Sequence, residues 1–176
     1  MTSSTSVSAD LVAIAVRSIH AMASGERPEF DELYDPAATD LENPVQPPSS
    51  RVNGPDCYWS TAQWLREAFT GLHYDIHHAI GVDDLVVVNS TMNGEHTRPW
   101  VVYDESGRVD TVFPPTRRTF AVTQTHWFRM KDGRILEHWA NRDDLGMARQ
   151  LGWIPPSPAF LFRMARAKRK AVRAVR

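Results

Sequence analysis

Residues 118–144 read RTFAVTQTHWFRMKDGRILEHWANRDD, and this stretch constrains the chain more than any other. Two strand-like runs flank Asp132-Gly133, the pattern of an antiparallel hairpin. Gln124, His126, His138 and Arg142 sit inside those strands, where core packing would use Val or Leu. Which side chains share a face depends on the turn. A two-residue Asp-Gly loop pairs Lys131 with Arg134. A three-residue Lys-Asp-Gly loop, with Gly133 left-handed in a bulge, pairs Met130 with Arg134. A slip of one residue turns a whole strand over. In the second register His126 faces His138, Gln124 faces Ala140 and Phe128 faces Leu136, and Arg142 continues that face. The other face then carries Thr125, Trp127 and Arg129 against Ile135, Glu137 and Trp139, with Arg129 able to pair with Glu137. Opposed imidazoles among apolar residues can act as general acid and base, because histidine titrates near neutrality. Burial and mutual repulsion keep at least one of them neutral. The competing role for each histidine is a hydrogen-bonded structural one; for the tryptophans it is core or dimer surface.

The rest of the chain places helices before this hairpin. A helix over residues 9–24 follows a loose start at 1–7, with Ser8 as its cap and Gly25 at its end. Leu11, Ile14, Ala15, Ser18, Ile19 and Met22 share one face. A short helix over 29–34 and a long Pro-rich loop over 35–55 come next. A third helix spans about 56–70, with Trp59, Ala62, Leu65 and Phe69 on its apolar side. Strands are expected over 73–80, with Tyr74, Ile76, His78 and Ile80 on one face, and over 84–93. After a turn at Asn93-Gly94 another covers 95–103, and a short one 109–113. Helices first and antiparallel strands after make an α+β pattern. A curved sheet over helices leaves a hollow suited to a small apolar ligand.

Composition narrows the classes. The chain has 176 residues and one cysteine, Cys57, which excludes a disulfide scaffold and a Cys-rich zinc site. No apolar run reaches the roughly 18 residues of a membrane span. Residues 1–10 lack the basic start and apolar core of a secretory signal, so a cytoplasmic setting is expected. The net charge of −1 hides an asymmetry. Residues 163–176 hold seven basic residues and no acid, leaving 13 basic against 21 acidic elsewhere. An acidic body with a basic tail is not a general nucleic-acid binder.

The run PPTxRxFxVTQTHWFRxxDGRIxEHWANRDDLGMxRQLGW over residues 114–153 resembles the SnoaL-like polyketide cyclases of the nuclear-transport-factor-2-like superfamily. WLREAF at 64–69, GVDDLVVV at 81–88 and TMNGEH at 91–96 fit the same pattern. The resemblance implies one domain over residues 9–154, preceded by a flexible 1–8 and followed by a Pro linker and basic helix or tail over 155–176. It implies three helices packed into a strongly curved antiparallel sheet forming an α+β barrel or cone, usually as a homodimer. It implies no cofactor and no metal. Family members include cyclases that close rings by intramolecular aldol chemistry; related folds act as isomerases, dehydratases or epoxide hydrolases, or only bind ligands. The family's pocket histidine falls on His126, its strand neighbour on Gln124, and a further histidine on His96. The acid/base aspartate that follows EHW is replaced by Ala140. Arg117 stands where a PPTG turn would have glycine. If 126 and 140 both face the cavity, the three-residue loop is required, and His138 also points inward as the leading replacement acid/base. Asp143 is the alternative base.

The expected reaction is therefore acid/base chemistry on a small, apolar, carbonyl-bearing, polyketide-like substrate of secondary metabolism. His126, His138 and Asp143 are the catalytic candidates, with Gln124, Arg142, His96, His78, Trp59 and Phe128 contacting substrate. The alternative is a non-catalytic binding protein of the same fold. Asn43 and Pro44 lie in a loop long enough to act as a lid. His73 and His77 share a face with Asp75 and are expected on a solvated surface. Cys57 is expected to be buried and inert. The basic tail is expected to lie solvated or docked on the acidic body, or to touch an anionic surface.

Overall fold

The computed structural model describes residues 4–42 and 45–174, with side chains from residue 9 onward. Helix α1 (Ser4–Ser24) begins earlier than the Ser8 cap suggests, so residues 4–7 are helical. Helix α2 (Arg27–Leu33) carries Pro28 in its first turn, where the missing N–H has no helical partner to lose. The first large departure is strand β1 (Tyr34–Asp40), inside the expected loop. Pro36 is tolerated because β1 is the edge strand of its sheet. Helix α3 (Pro55–Ala68) follows a short 3-10 turn at Pro48–Ser50. Asn43 and Pro44 lie outside the described residues.

Strands β2 (Phe69–Val82), β3 (Leu85–His96), β6 (Thr119–Lys131) and β7 (Arg134–Arg142) form one curved, open sheet with β1, in the order β1-β7-β6-β3-β2. The four long strands pair antiparallel, and β1 joins β7 in parallel. Strand β3 runs straight through Asn93-Gly94, where the sequence suggests a turn. Gly94 serves close approach instead: a Cβ there would meet the Phe120 ring at 3.0 Å. Strands β4 (Trp100–Tyr103) and β5 (Val109–Phe113) make a separate hairpin. Helices α4 (Asp144–Gln150) and α5 (Pro158–Ala174) complete the chain.

The β6–β7 hairpin corrects the expected register. Lys131 pairs with Arg134 across a two-residue turn, with Asp132 at φ 49° and Gly133 at φ 77°. Two positive φ values define the tight turn whose twist matches paired strands. Met130 then faces Ile135 and Arg129 faces Glu137, leaving Leu136 as a bulged residue. The two-residue turn moves Ile135 from the expected outer face to full burial opposite Met130, and the bulge at Leu136 then restores the inner face from His138 onward. His126 stands opposite Ala140, Phe128 opposite His138, and Gln124 opposite Arg142. The two histidines share a face as expected, but diagonally. On the outer face Trp127 stacks on Trp139 at 6.1 Å, and Arg129 reaches Glu137 at 3.3 Å.

Strand β2 shows the same effect. Its pairing slips between Ile76 and His78, so Tyr74 and Ile76 pack inward while His78 and Ile80 are exposed. His73 and His77 lie on the exposed surface, and His77 bonds Thr91 Oγ1 at 2.7 Å. The core lies between the sheet and α1 to α3. Phe30, Tyr34 and Tyr58 stack there, the two tyrosine rings 3.7 Å apart. Cys57 is fully buried, and burial pushes its thiol up to about 12, so it is inert.

Candidate active site

A cavity of about 250 Å³ lies between the concave side of the sheet and helices α1 and α3. Its walls are mostly apolar, and one side carries a band of polar groups from β1, β6 and β7. Parallel pairing of β1 with β7 sets Asp40 beside His138 in register. The alternation of β6 puts Gln124, His126 and Phe128 on the cavity side together.

These groups form one chain of hydrogen bonds. Asp40 Oδ1 lies 3.2 Å from His138 Nδ1, and His138 Nε2 lies 3.0 Å from His126 Nδ1. His126 Nε2 meets Gln124 Oε1 at 2.9 Å. The far end is anchored: Glu42 N–H donates to Asp40 Oδ1 at 3.1 Å, and Gln46 Nε2 donates to Asp40 Oδ2 at 3.2 Å. Thr61 Oγ1 in turn donates to Gln46 Oε1 at 2.7 Å. Burial would raise the Asp40 carboxyl. His138, the Glu42 N–H and the Gln46 amide outweigh burial and hold it below the usual carboxylate range. His126 is pushed well below its ordinary value, first by burial and then by His138 and Arg142, against a smaller pull from Asp40. The site therefore sets a carboxylate at one end and a neutral imidazole at the other.

The proton inventory follows from the partners. With the Gln124 oxygen toward His126, His126 Nε2 carries hydrogen and its Nδ1 accepts. His138 Nε2–H must then donate to that Nδ1, and a donor at His138 Nδ1 suits Asp40. With the Gln124 amide turned over, the His126 hydrogen sits on Nδ1, His138 Nε2 accepts it, and the two rings carry two N–H hydrogens instead of three. The Gln124 amide is free to turn, because its nitrogen meets only the weak acceptor Met92 Sδ, at 3.2 Å. The two amide orientations thus correspond to hydrogen-bond patterns that differ by one proton.

Five of the nine candidate residues line the cavity: Gln124, His126, Phe128, His138 and Arg142. Four do not. His96 is fully buried between Phe69 and Trp153, where burial takes it down to about 4. His78 is turned outward by the β2 bulge. Trp59 packs edge-on to Phe30 under the Arg66 guanidinium, on the side of α3 next to the cavity-facing Tyr58. Asp143 caps α4, its Oδ1 accepting the Gly146 N–H at 2.7 Å, a structural role outside the cavity wall. Sequence reasoning missed Asp40, Gln46, Tyr58 and Thr61. Asp40 closes the run YDPAATD, inside a Pro-rich stretch that reads as loop.

Asp40, Glu42 and His138 hold their ligand-capable atoms within 4.8 Å of one another. Their partners disfavour a metal there. Asp40 already accepts three hydrogen bonds, and Arg142 sits 3.0 Å from Glu42 as the local cation.

The SnoaL-like polyketide cyclase family model matches residues 13–151. Among solved structures, TsrD from Streptomyces laurentii is 20% identical with TM-score 0.66, over 82% of this chain and 96% of that one. IdmH from Streptomyces antibioticus, a candidate polyketide cyclase, is 23% identical with TM-score 0.59, over 80% of this chain and 98% of that one. A protein of Catenulispora acidiphila with a ketosteroid isomerase-like fold is 13% identical with TM-score 0.58, over 79% and 92% of the two chains. A search of curated proteins finds no match to this sequence. The concave α+β architecture and a family match across most of the chain agree, and the protein belongs to the SnoaL-like polyketide cyclase family.

Proposed function

We propose that the protein is a cofactor-independent enzyme that moves a proton next to the carbonyl of a small, apolar, polyketide-like substrate, as an intramolecular aldol cyclisation requires. The carrying observation is the unbroken chain from Asp40 through His138 to His126, ending in the cavity. Asp40 supplies, from β1, the carboxylate that Ala140 removes from β7. In the base form His126 Nε2 is a lone pair covered by the Gln124 amide. Substrate displaces that amide, and Nε2 takes the carbon-bound proton. The Nδ1 proton moves to His138 Nε2, and the positive charge comes to rest beside the Asp40 carboxylate. Gln124 and Arg142 line the same wall and can donate to the developing enolate oxygen. Donors aimed at developing charge in a dry site are worth on the order of 2.7–4 kcal/mol each.

The test is deuterium uptake from D₂O at the α-carbon of 1-indanone, followed by NMR. The parent protein should accelerate uptake, and His126→Ala should lose about 10²–10⁴ of that acceleration. Uptake at the same rate in parent and His126→Ala would overturn the assignment. A second reading, ligand binding without catalysis, has its own support. Each nitrogen of both imidazoles is already bonded within the protein. Saturable binding of 1-indanone with no uptake would favour it.

A further inference from the structure

The basic C-terminal helix is not a loose tail. Phe160 is buried, Met164 packs on the core, and Ala167 and Ala171 are half-buried. That spacing is one stripe of an α-helix, and it seats α5 on β5. Lys168 reaches Asp110 of β5 at 4.0 Å. At 100° per residue, Phe162, Arg166, Arg169 and Arg173 fall together on the opposite side, with Lys170 at its edge. Arg163 and Leu161 flank them. Phe162 is 72% exposed and Leu161 51% exposed, both in the first turns. Among the described residues no carboxylate pairs with Arg166, Arg169, Lys170 or Arg173.

We infer that this outer face of α5 docks the protein on an anionic lipid bilayer. A helix whose inner stripe is already used has no structural need for four unpaired cations and an exposed phenylalanine on its outer stripe. A row of cations spanning about 11 Å on the convex outer side of a helix about 25 Å long fits a flat anionic layer. Phe162 and Leu161 add apolar groups that enter the headgroup boundary, a feature that phosphate contacts alone do not use. The rest of the chain has 13 basic against 21 acidic residues and is repelled from such a surface, so the molecule is oriented with α5 toward it. Nucleic acid is the less favoured partner, because a convex helix on an acidic body offers no groove and no stacking platform.

The experiment is co-sedimentation of the full chain with vesicles of phosphatidylcholine alone or with about 30% phosphatidylserine, at about 0.05 M and 0.5 M salt. Partition onto the anionic vesicles should exceed that onto the neutral ones at least about tenfold and should collapse at high salt. The charge-reversed variant Arg166→Glu, Arg169→Glu, Lys170→Glu, Arg173→Glu should lose it while keeping the parent's thermal transition. Phe162→Ser should weaken it and leave residual salt-sensitive binding. Equal partition onto both vesicles, or undiminished binding by the charge-reversed variant, would overturn the proposal. Tighter binding to a 20-base-pair DNA duplex than to the anionic vesicles at the same salt would overturn it in favour of a nucleic-acid surface.

Discussion

At Asp40 the cost of burying a carboxylate is offset by the His138 ring, the Glu42 N–H and the Gln46 amide. Asp40→Asn keeps the shape and removes the charge. It should cost about 1.5–3 kcal/mol in urea denaturation, the size of hydrogen bonds to a charged group. It should also lower α-carbon deuterium uptake by about 10²–10⁴, as removal of a general-base partner does. His138→Ala interrupts the chain in its middle and should remove uptake as fully as His126→Ala. The sequence makes His126 and His138 legible, because imidazoles stand where strand cores use hydrocarbon. It leaves Asp40 illegible, because a parallel edge strand is specified by its neighbour and not by its own alternation. Asp143 illustrates the opposite error: a carboxylate near the right motif is also the ordinary cap of the next helix.

Within the β6–β7 hairpin, turn and bulge share the work of aiming side chains. Gly133 has φ 77°, and a Cβ there meets nothing within 4 Å. Gly133→Ala should therefore cost only backbone strain, about 1 kcal/mol, or about 2–4 °C in Tm for a chain of this size. Deleting Leu136 is a different change. It removes the bulge but leaves Met130 opposite Ile135, Arg129 opposite Glu137 and Phe128 opposite His138, so His138 stays on the inner face. Retained uptake with the hairpin still folded, read from deuterium uptake and far-ultraviolet circular dichroism, is the expected result; loss of uptake in the folded variant would contradict the assignment of Leu136 as the extra residue. The sequence offers both turns and cannot combine them: a tight Asp-Gly turn and a bulge two residues later give the inner face that a three-residue loop also gives. The β2 slip near His77 has the same origin, since a single bulge turns His78 and Ile80 to solvent and Ala79 toward the core.

Across the whole molecule, buried imidazoles tie stability to acidity. His126 and His96 are both held below their ordinary value by burial, so each stays neutral in the fold. Their unfolded counterparts take up protons as pH falls below about 6.5. The stability they contribute is complete above about 6.5 and drains as pH falls, down to about 4 for His96. Asp40 acts in a lower window: its contribution holds above roughly 3.9 and is lost below that. The urea midpoint should therefore fall between about pH 7 and 4.5, and His96→Leu should flatten that slope. A flat midpoint across the range would contradict burial of neutral rings. The α+β class and the concave site were legible from the order of helices and strands and from the resemblance. Among the described residues no helix is long and apolar enough to cross a membrane.

The relay is tested most directly by deuterium uptake of 1-indanone in the parent, Asp40→Asn, His126→Ala and the double variant. Groups that act as one chain are not additive, so the double variant should be no slower than His126→Ala alone. Parent-like uptake in Asp40→Asn, or a double variant slowed by the product of the two single losses, would contradict the account.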